Sequence, residues 1–215
     1  MEPMIKVLRP KTGTVNLLQN GNFECMEQGE IQAWKPWRNG YLVAKDSGLE
    51  GSTAVYCKSE TGHGQYGIAQ SVQLNQSIPI PLSVSGWSKA KDVSGGRNSG
   101  YSIYVDIIFQ DGTELWGQTG KFNTGTHGWE MQEFFIVPVK PIRRFSIYGL
   151  FRGHTGEVWF DDFQVSEVGG KGVATLDGVP VELPAKHAVK TKEAAMQVSE
   201  ILTSDGLSIR YDWNL

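Results

Sequence analysis

The chain has 215 residues, with 20 Lys plus Arg against 23 Asp plus Glu, a net charge of -3 and no block of either sign. Nucleic acid and anionic membrane surfaces are therefore not expected partners, and no apolar run approaches the ~20 residues of a membrane span. Its 26 glycines and nine prolines punctuate short apolar segments without βαβ alternation, which excludes a doubly wound parallel fold and reads as all-β.

In chain order, positions 1–11 carry three basic residues and no continuous apolar stretch, so they are not read as a signal peptide. The protein is then either intracellular or lacks a leader that has been removed. Strands are predicted at 16–18, 41–44, 53–58, 68–72, 81–90, 101–110, 115–121, 130–136, 144–151 and 157–167. Asp111-Gly112, between Phe109 and Leu115, is the clearest hairpin turn. About ten strands at this spacing suggest a two-sheet jelly-roll sandwich over residues 12–168. From 169 the texture changes. Gly169-Gly170-Lys171-Gly172 reads as a linker, 176–179 as a turn between short strands, 192–202 as a helix and 207–211 as a strand. Residues 169–215 are too few for a core of their own and form a mixed appendage, or the beginning of a further domain.

The strand Val158-Trp159-Phe160-Asp161-Asp162-Phe163-Gln164-Val165 holds two adjacent carboxylates. Strict alternation puts Trp159, Asp161, Phe163 and Val165 on one buried face, where a carboxylate requires a partner or a metal. Glu24 follows Phe23 after an Asn-Gly turn signal. The two acids either converge at the sandwich edge, in an oxygen environment that suits calcium, or are solvated strand ends. Cys25 and Cys57 are too few for a disulfide framework. Cys57 reads as a small core residue, with a bridge to Cys25 as the alternative.

The ordered set Asn16-Leu17-Leu18, Asn20-Gly21-Asn22-Phe23-Glu24, Trp34, Gly51-Ser52-Thr53-Ala54-Val55, Ser85-Gly86-Trp87, Gly128-Trp129 and Phe160-Asp161-Asp162-Phe163 resembles the calcium-containing β-sandwich carbohydrate-binding modules attached to glycoside hydrolases. The resemblance runs from about residue 14 to 168. It implies a galactose-binding-like jelly roll and a structural calcium held by Glu24 and Asp161, with the carbonyls of Asn22 and Thr53 and with Glu50 where some members place another acid. It also implies a polysaccharide or glycan ligand, an appended catalytic domain and a secreted or cell-surface location. Asp162 is set apart by alternation.

A sugar presents apolar C–H faces and a ring of hydroxyls, so its site needs aromatic platforms beside planar hydrogen-bonding groups. Trp159 and Phe163 are expected in the core, and Trp34 and Trp129 packed. Along 101–110, Ile103, Val105, Ile107 and Phe109 separate from Tyr104, Asp106, Ile108 and Gln110, and the second set reads as a binding surface. Trp116 and Gln118 are placed on one face across the hairpin. Tyr148, Leu150 and Arg152 share a face of the 144–152 strand, beside a loop that could lend His154. The candidate ligand residues are Trp116, Tyr104, Asp106 and Arg152, then Trp87, Gln118 and Tyr148; Trp37 and Tyr41 are outside candidates, and Lys89 is comparable with Trp87.

His63, His127, His154 and His187 are scattered, with no pair at zinc-ligand spacing. Neither a Gly-x-Ser-x-Gly elbow nor a phosphate-cradling loop ending in Lys-Ser or Lys-Thr is present. Asp106, Glu114 and Glu133 could supply the two carboxylates of glycoside hydrolysis, but their spacing singles out no pair. The leading expectation is a carbohydrate-binding module that is not an enzyme. A ligand-free structural sandwich packed on a catalytic domain and a β-sandwich hydrolase or lyase are the alternatives.

Overall fold

The computed structural model describes residues 15–168 in full and, outside them, the backbone of short strands. In chain order the strands are β1 (Ile5–Val7), β2 (Met26–Glu27), β3 (Glu30–Ile31), β4 (Lys35–Pro36), β5 (Leu42–Ala44), β6 (Ala54–Ser59), β7 (Gln65–Gln73), β8 (Leu82–Val93), β9 (Tyr101–Phe109), β10 (Glu114–Lys121), β11 (Gly125–Ile136), β12 (Ile142–Arg152) and β13 (Gly156–Glu167). They are followed by β14 (Ala174–Leu176), β15 (Val179–Val181), β16 (Ser199–Leu202) and β17 (Ser208–Tyr211). A single 3-10 turn, Leu49–Gly51, lies between β5 and β6.

Two five-stranded antiparallel sheets carry the fold. The first runs β11-β8-β13-β6-β5 and the second β10-β9-β12-β7-β4. The jelly-roll-type sandwich expected from the strand spacing is the architecture observed. Alternation explains the core: Ile103, Val105, Ile107 and Phe109 of β9 and Phe145, Ile147 and Phe151 of β12 are buried against Val158, Phe160, Phe163 and Val165 of β13. Aromatic edges knit the first and last segments of the sandwich together, with Phe23 5.1 Å from Trp34 and 5.5 Å from Phe163, centroid to centroid. Each such pair is worth about 0.5–1.5 kcal/mol beyond the area it buries. The buried Tyr101 hydroxyl is satisfied by Ser88 Oγ at 2.6 Å.

The alternation expected along β13 breaks at a bulge. The register with β8 shifts between Asp161 and Gln164, and Asp162 takes a left-handed φ of 46°. An extra residue in one strand reverses the facing of everything on one side of it. Val158 and Phe160 therefore point inward before the bulge and Phe163 and Val165 after it, while Trp159 and Asp161 turn outward. The expectation that Trp159 lies in the core is corrected accordingly, and Trp129 is part-exposed as well.

Residues 16–18 form no strand. They run beside β13, with Leu17 N donating to Val165 O at 2.7 Å and Asn16 Oδ1 accepting from Val165 N at 3.0 Å. Gly21 is required there because a Cβ would stand 2.2 Å from Phe163 O. Asp111-Gly112 makes the expected hairpin, closed by Phe109 N donating to Thr113 O at 2.9 Å. Cys25 is exposed, Cys57 is buried, and both thiols are free, so the alternative of a bridge is set aside.

In the tail, β14 and β15 bracket the predicted turn and β17 matches the predicted last strand. The end of the segment expected to be helical is instead β16, paired with β17; the rest of that segment and the linker lie outside the described residues.

Candidate functional site

The outer face of the second sheet collects most of the predicted ligand residues. β9 and β12 pair with Tyr104 opposite Tyr148 and Asp106 opposite Ser146, so these side chains stand in adjacent rows. The Tyr104 and Tyr148 rings meet edge to face at 5.9 Å. Trp37 joins them from the far side. β4 pairs with β7, and Trp37 N donates to Gly67 O at 2.9 Å, which lays the indole against Tyr148 at 6.3 Å. The Arg152 guanidinium sits over both Tyr104, at 5.6 Å, and Trp37, at 5.8 Å. A planar cation held over ring faces contributes through the ring quadrupole and keeps its N–H fork available at the ring margins.

On top of burial, the Asp106 carboxylate and the Arg152 guanidinium act on the Tyr104 phenol in opposite senses, the anion raising it and the cation lowering it. Partial burial raises the Asp106 carboxyl above its ordinary range, while hydrogen bonds from Gly117 N and Tyr104 pull the other way. Burial, and then the Asp106 charge, raise the Tyr104 phenol.

A bulge on β10 sets the edge of this face. The register shifts between Leu115 and Gln118, and Gly117 takes φ +76°, with its N–H donating to Asp106 Oδ1 at 3.1 Å. Trp116 is left 53% exposed at the rim. The same bulge corrects the expectation that Trp116 and Gln118 share a face. Gln118 pairs with the inward-facing Val105 and lies on the other side of the sheet.

Three further placements differ from expectation. Trp87 is on the outer face of the first sheet, opposite Asp161 and Met131, with the whole sandwich between it and Tyr104. His154 is 1% exposed, its ring nitrogens set against Ser94 O and Asn98 Oδ1, so it is not part of the rim. Glu133 pairs with Ser85 of the first sheet and cannot be the partner of Asp106. Tyr41 accepts a hydrogen bond from Ile31 N at 3.2 Å and stays half-buried. Trp37 ranks low from sequence because its loop has no periodicity to reveal its facing; the Asn39 and Gly40 turn signals close by are the available cue.

The predicted calcium residues partly converge. Asp161 is 1% exposed, beneath the loop after β5, rather than in the core. Its Oδ2 accepts from Leu49 N at 2.8 Å and Ser52 Oγ at 2.7 Å, and its Oδ1 from Asp162 N at 2.7 Å. Glu24 reaches the same loop from the other end of the chain, accepting from Thr53 N at 2.6 Å. All are hard oxygens of the kind calcium takes, and each carboxylate has lone pairs beyond those used. Glu50 is exposed at φ 54°, Asn22 is exposed, and Asp162 turns to Gln164. Among the described residues no group of three or more His, Cys, Asp or Glu gathers around one point, so carbonyls would have to complete a coordination shell.

No family model matches the chain. Over 164 residues it is 30% identical to tRNA nuclease WapA of Bacillus subtilis, a match covering 73% of this chain and 7% of that protein. The chain thus spans a small fraction of the curated relative's length. Among solved structures it superposes on the CBM22-1 xylan-binding domain of Paenibacillus barcinonensis Xyn10C with a TM-score of 0.52 at 15% identity, covering 74% of this chain and 98% of that one. An arabinose-bound α-L-arabinofuranosidase, MgGH51, gives a TM-score of 0.52 at 14% identity, covering 72% of this chain and 27% of that one. The fold is a β-sandwich of the carbohydrate-binding-module type. The expectation that the protein is not an enzyme is overturned by the curated relative, which is named as a nuclease.

Proposed function

We propose that the outer face of the second sheet binds a polysaccharide or glycan, with Trp37, Tyr104 and Tyr148 as platforms, Arg152 and Asp106 as hydrogen-bonding groups and Trp116 as a rim contact. The observation that carries the reading is the placement of Arg152 over two aromatic rings at once, which leaves rings and planar polar groups side by side on a solvent face. Sugar C–H faces need the first and sugar hydroxyls the second. Affinity at one such site is expected to be modest, because solvated hydroxyls are exchanged for protein partners with little net gain.

The protein carrying this sandwich is proposed to be a nuclease like its curated relative, in place of the attached hydrolase implied by the resemblance. The sandwich would then hold it at a glycan surface, which suits a secreted or cell-surface location. A structural calcium between Glu24, Asp161 and carbonyls of the 48–53 loop is part of the proposal; when bound it would supply a cationic tie between the first and last segments of the sandwich.

Passing the purified chain over immobilised plant, algal, microbial and host glycans with calcium present tests the reading. Saturable binding to one class, weakened by Tyr104→Ala, supports it. Absence of binding to every class, or binding indifferent to Tyr104→Ala and Trp37→Ala, overturns it.

A further inference from the structure

The outer face of the first sheet carries its own aromatic row, on the far side of the sandwich from Tyr104. On β8, Lys89 stands opposite Trp159 of β13, which stands opposite Tyr56 of β6, which stands opposite Leu42 of β5. Trp129 of β11 reaches the row from the other edge. The Lys89 ammonium lies 5.0 Å from the Trp129 ring and 5.1 Å from the Trp159 ring. Tyr56 and Trp159 pack at 4.9 Å with a 37° tilt, and the Tyr56 hydroxyl donates to Glu157 at 2.9 Å. Trp87 and the exposed Met131 continue the apolar surface in the next row. Leu42 is 65% exposed.

An outward sheet face in a sandwich is ordinarily polar, because it is solvated. This one places three of the seven tryptophans on the outer side, none of them fully buried. At its centre, Lys89 Nζ gives one hydrogen bond to Ser47 O at 2.7 Å. Among the described residues no carboxylate stands within ion-pair distance of it. Asp161, on the same outer face, is the charge that acts on it, and both Asp161 oxygens already accept hydrogen bonds, Oδ2 from Leu49 N of the covering loop and Oδ1 from Asp162 N of its own strand. Two of the three ammonium protons therefore remain for a ligand.

We propose that this row is a second glycan site, selective for carboxylate-bearing polysaccharide. Sugar rings pack on Trp129 and Trp159, and the carboxylate of an acidic sugar takes the free protons of Lys89. Strands of one sheet lie about 4.8 Å apart, so residues on the two strands flanking β8 stand roughly 10 Å apart, which suits alternate sugars of an extended chain lying across the strands. Oppositely directed sites let one sandwich bridge two polymers, or two stretches of one, and raise retention by effective concentration without any stronger single site. The inference shares the glycan-binding reading of the sandwich but uses none of the residues of the second sheet.

Affinity electrophoresis in gels containing polygalacturonate, alginate or hyaluronate, with neutral xylan as the comparison, tests it. At least one acidic polymer is expected to retard the chain. Trp159→Ala and Lys89→Met should each weaken that retardation tenfold or more, Lys89→Met should leave retardation by a neutral polymer unchanged, and Tyr104→Ala should leave the acidic-polymer effect in place. Thermal unfolding of each variant checks that it folds, and Lys89→Met stands in if Trp159→Ala does not. Retardation by acidic polymers that is lost with Tyr104→Ala but kept with Lys89→Met would overturn the second site while sparing the first. No retardation by any acidic polymer would overturn it as well.

Discussion

Asp161 Oδ2 accepts a hydrogen bond from Ser52 Oγ at 2.7 Å, tying the closing strand to a loop 109 residues earlier. The same oxygen takes Leu49 N, so a nearly inaccessible carboxylate is held by donors of one loop. Removing one of them leaves less compensation for a buried charge. Ser52→Ala is expected to destabilise the sandwich by about 1–3 kcal/mol, read as a lower urea midpoint with an unchanged slope.

Calcium makes a separate prediction at this end of the molecule. A ligand held only by the folded state stabilises it by mass action, about 2.7 kcal/mol at a hundredfold excess over its dissociation constant. Exhaustive chelation should then lower the thermal midpoint, and readdition of calcium should restore it. An unchanged midpoint, together with no metal in the purified protein, would exclude the structural calcium.

The sequence disclosed the sandwich and the alternation along β9, because a period of two is written directly in Ile103, Val105, Ile107 and Phe109. It misplaced Trp159 and Gln118 for one shared reason. Each lies on a strand with a bulge, at Asp161–Asp162 and at Gly117, and one inserted residue reverses the facing of its neighbours without leaving a trace in apolar periodicity. The sequence groups Trp87 with Tyr104 because alternation gives the face of a strand but not the sheet to which the strand belongs. Gly117 next to a tryptophan, and two acids in the middle of an apolar strand, were the available signals of the bulges.

Trp116 and Tyr104 should separate binding from stability. Trp116 is exposed at the rim, so Trp116→Ala is expected to change stability by no more than about 0.5 kcal/mol while weakening glycan binding. Tyr104→Ala removes the ring beneath Arg152 and is expected to lower affinity by about 1 kcal/mol or more. Calorimetric titration with the polymer found in the glycan screen, alongside thermal unfolding, reads both effects. Loss of stability without loss of binding in Trp116→Ala would remove it from the site.

Gly117 is expected to matter through shape alone. At φ +76° an alanine is strained by roughly 1–2 kcal/mol, and its Cβ would lie 3.5 Å from the Tyr104 hydroxyl. Gly117→Ala should therefore lower stability and shift Trp116 relative to Tyr104, with affinity falling as well. A variant with full affinity and a lowered midpoint would show that the rim tolerates the shift.

Asp106 gives the pH dependence. Burial raises its folded-state carboxyl, so the folded protein takes up this proton at a higher pH than the unfolded chain does. The sign follows from linkage: relative to the ionised state, its contribution to stability is fully present below the unfolded carboxylate value and is lost as pH rises through the raised folded value. Binding runs the other way, because protonation exchanges an ionised acceptor for a neutral acid beside Arg152. Glycan affinity should fall as pH descends toward the ordinary carboxylate range, beginning above it, while the fold gains a small increment from this group. Asp106→Asn should flatten the affinity profile over that window and bind more weakly at neutral pH. A profile unchanged by the substitution would place the titrating group elsewhere on the sheet.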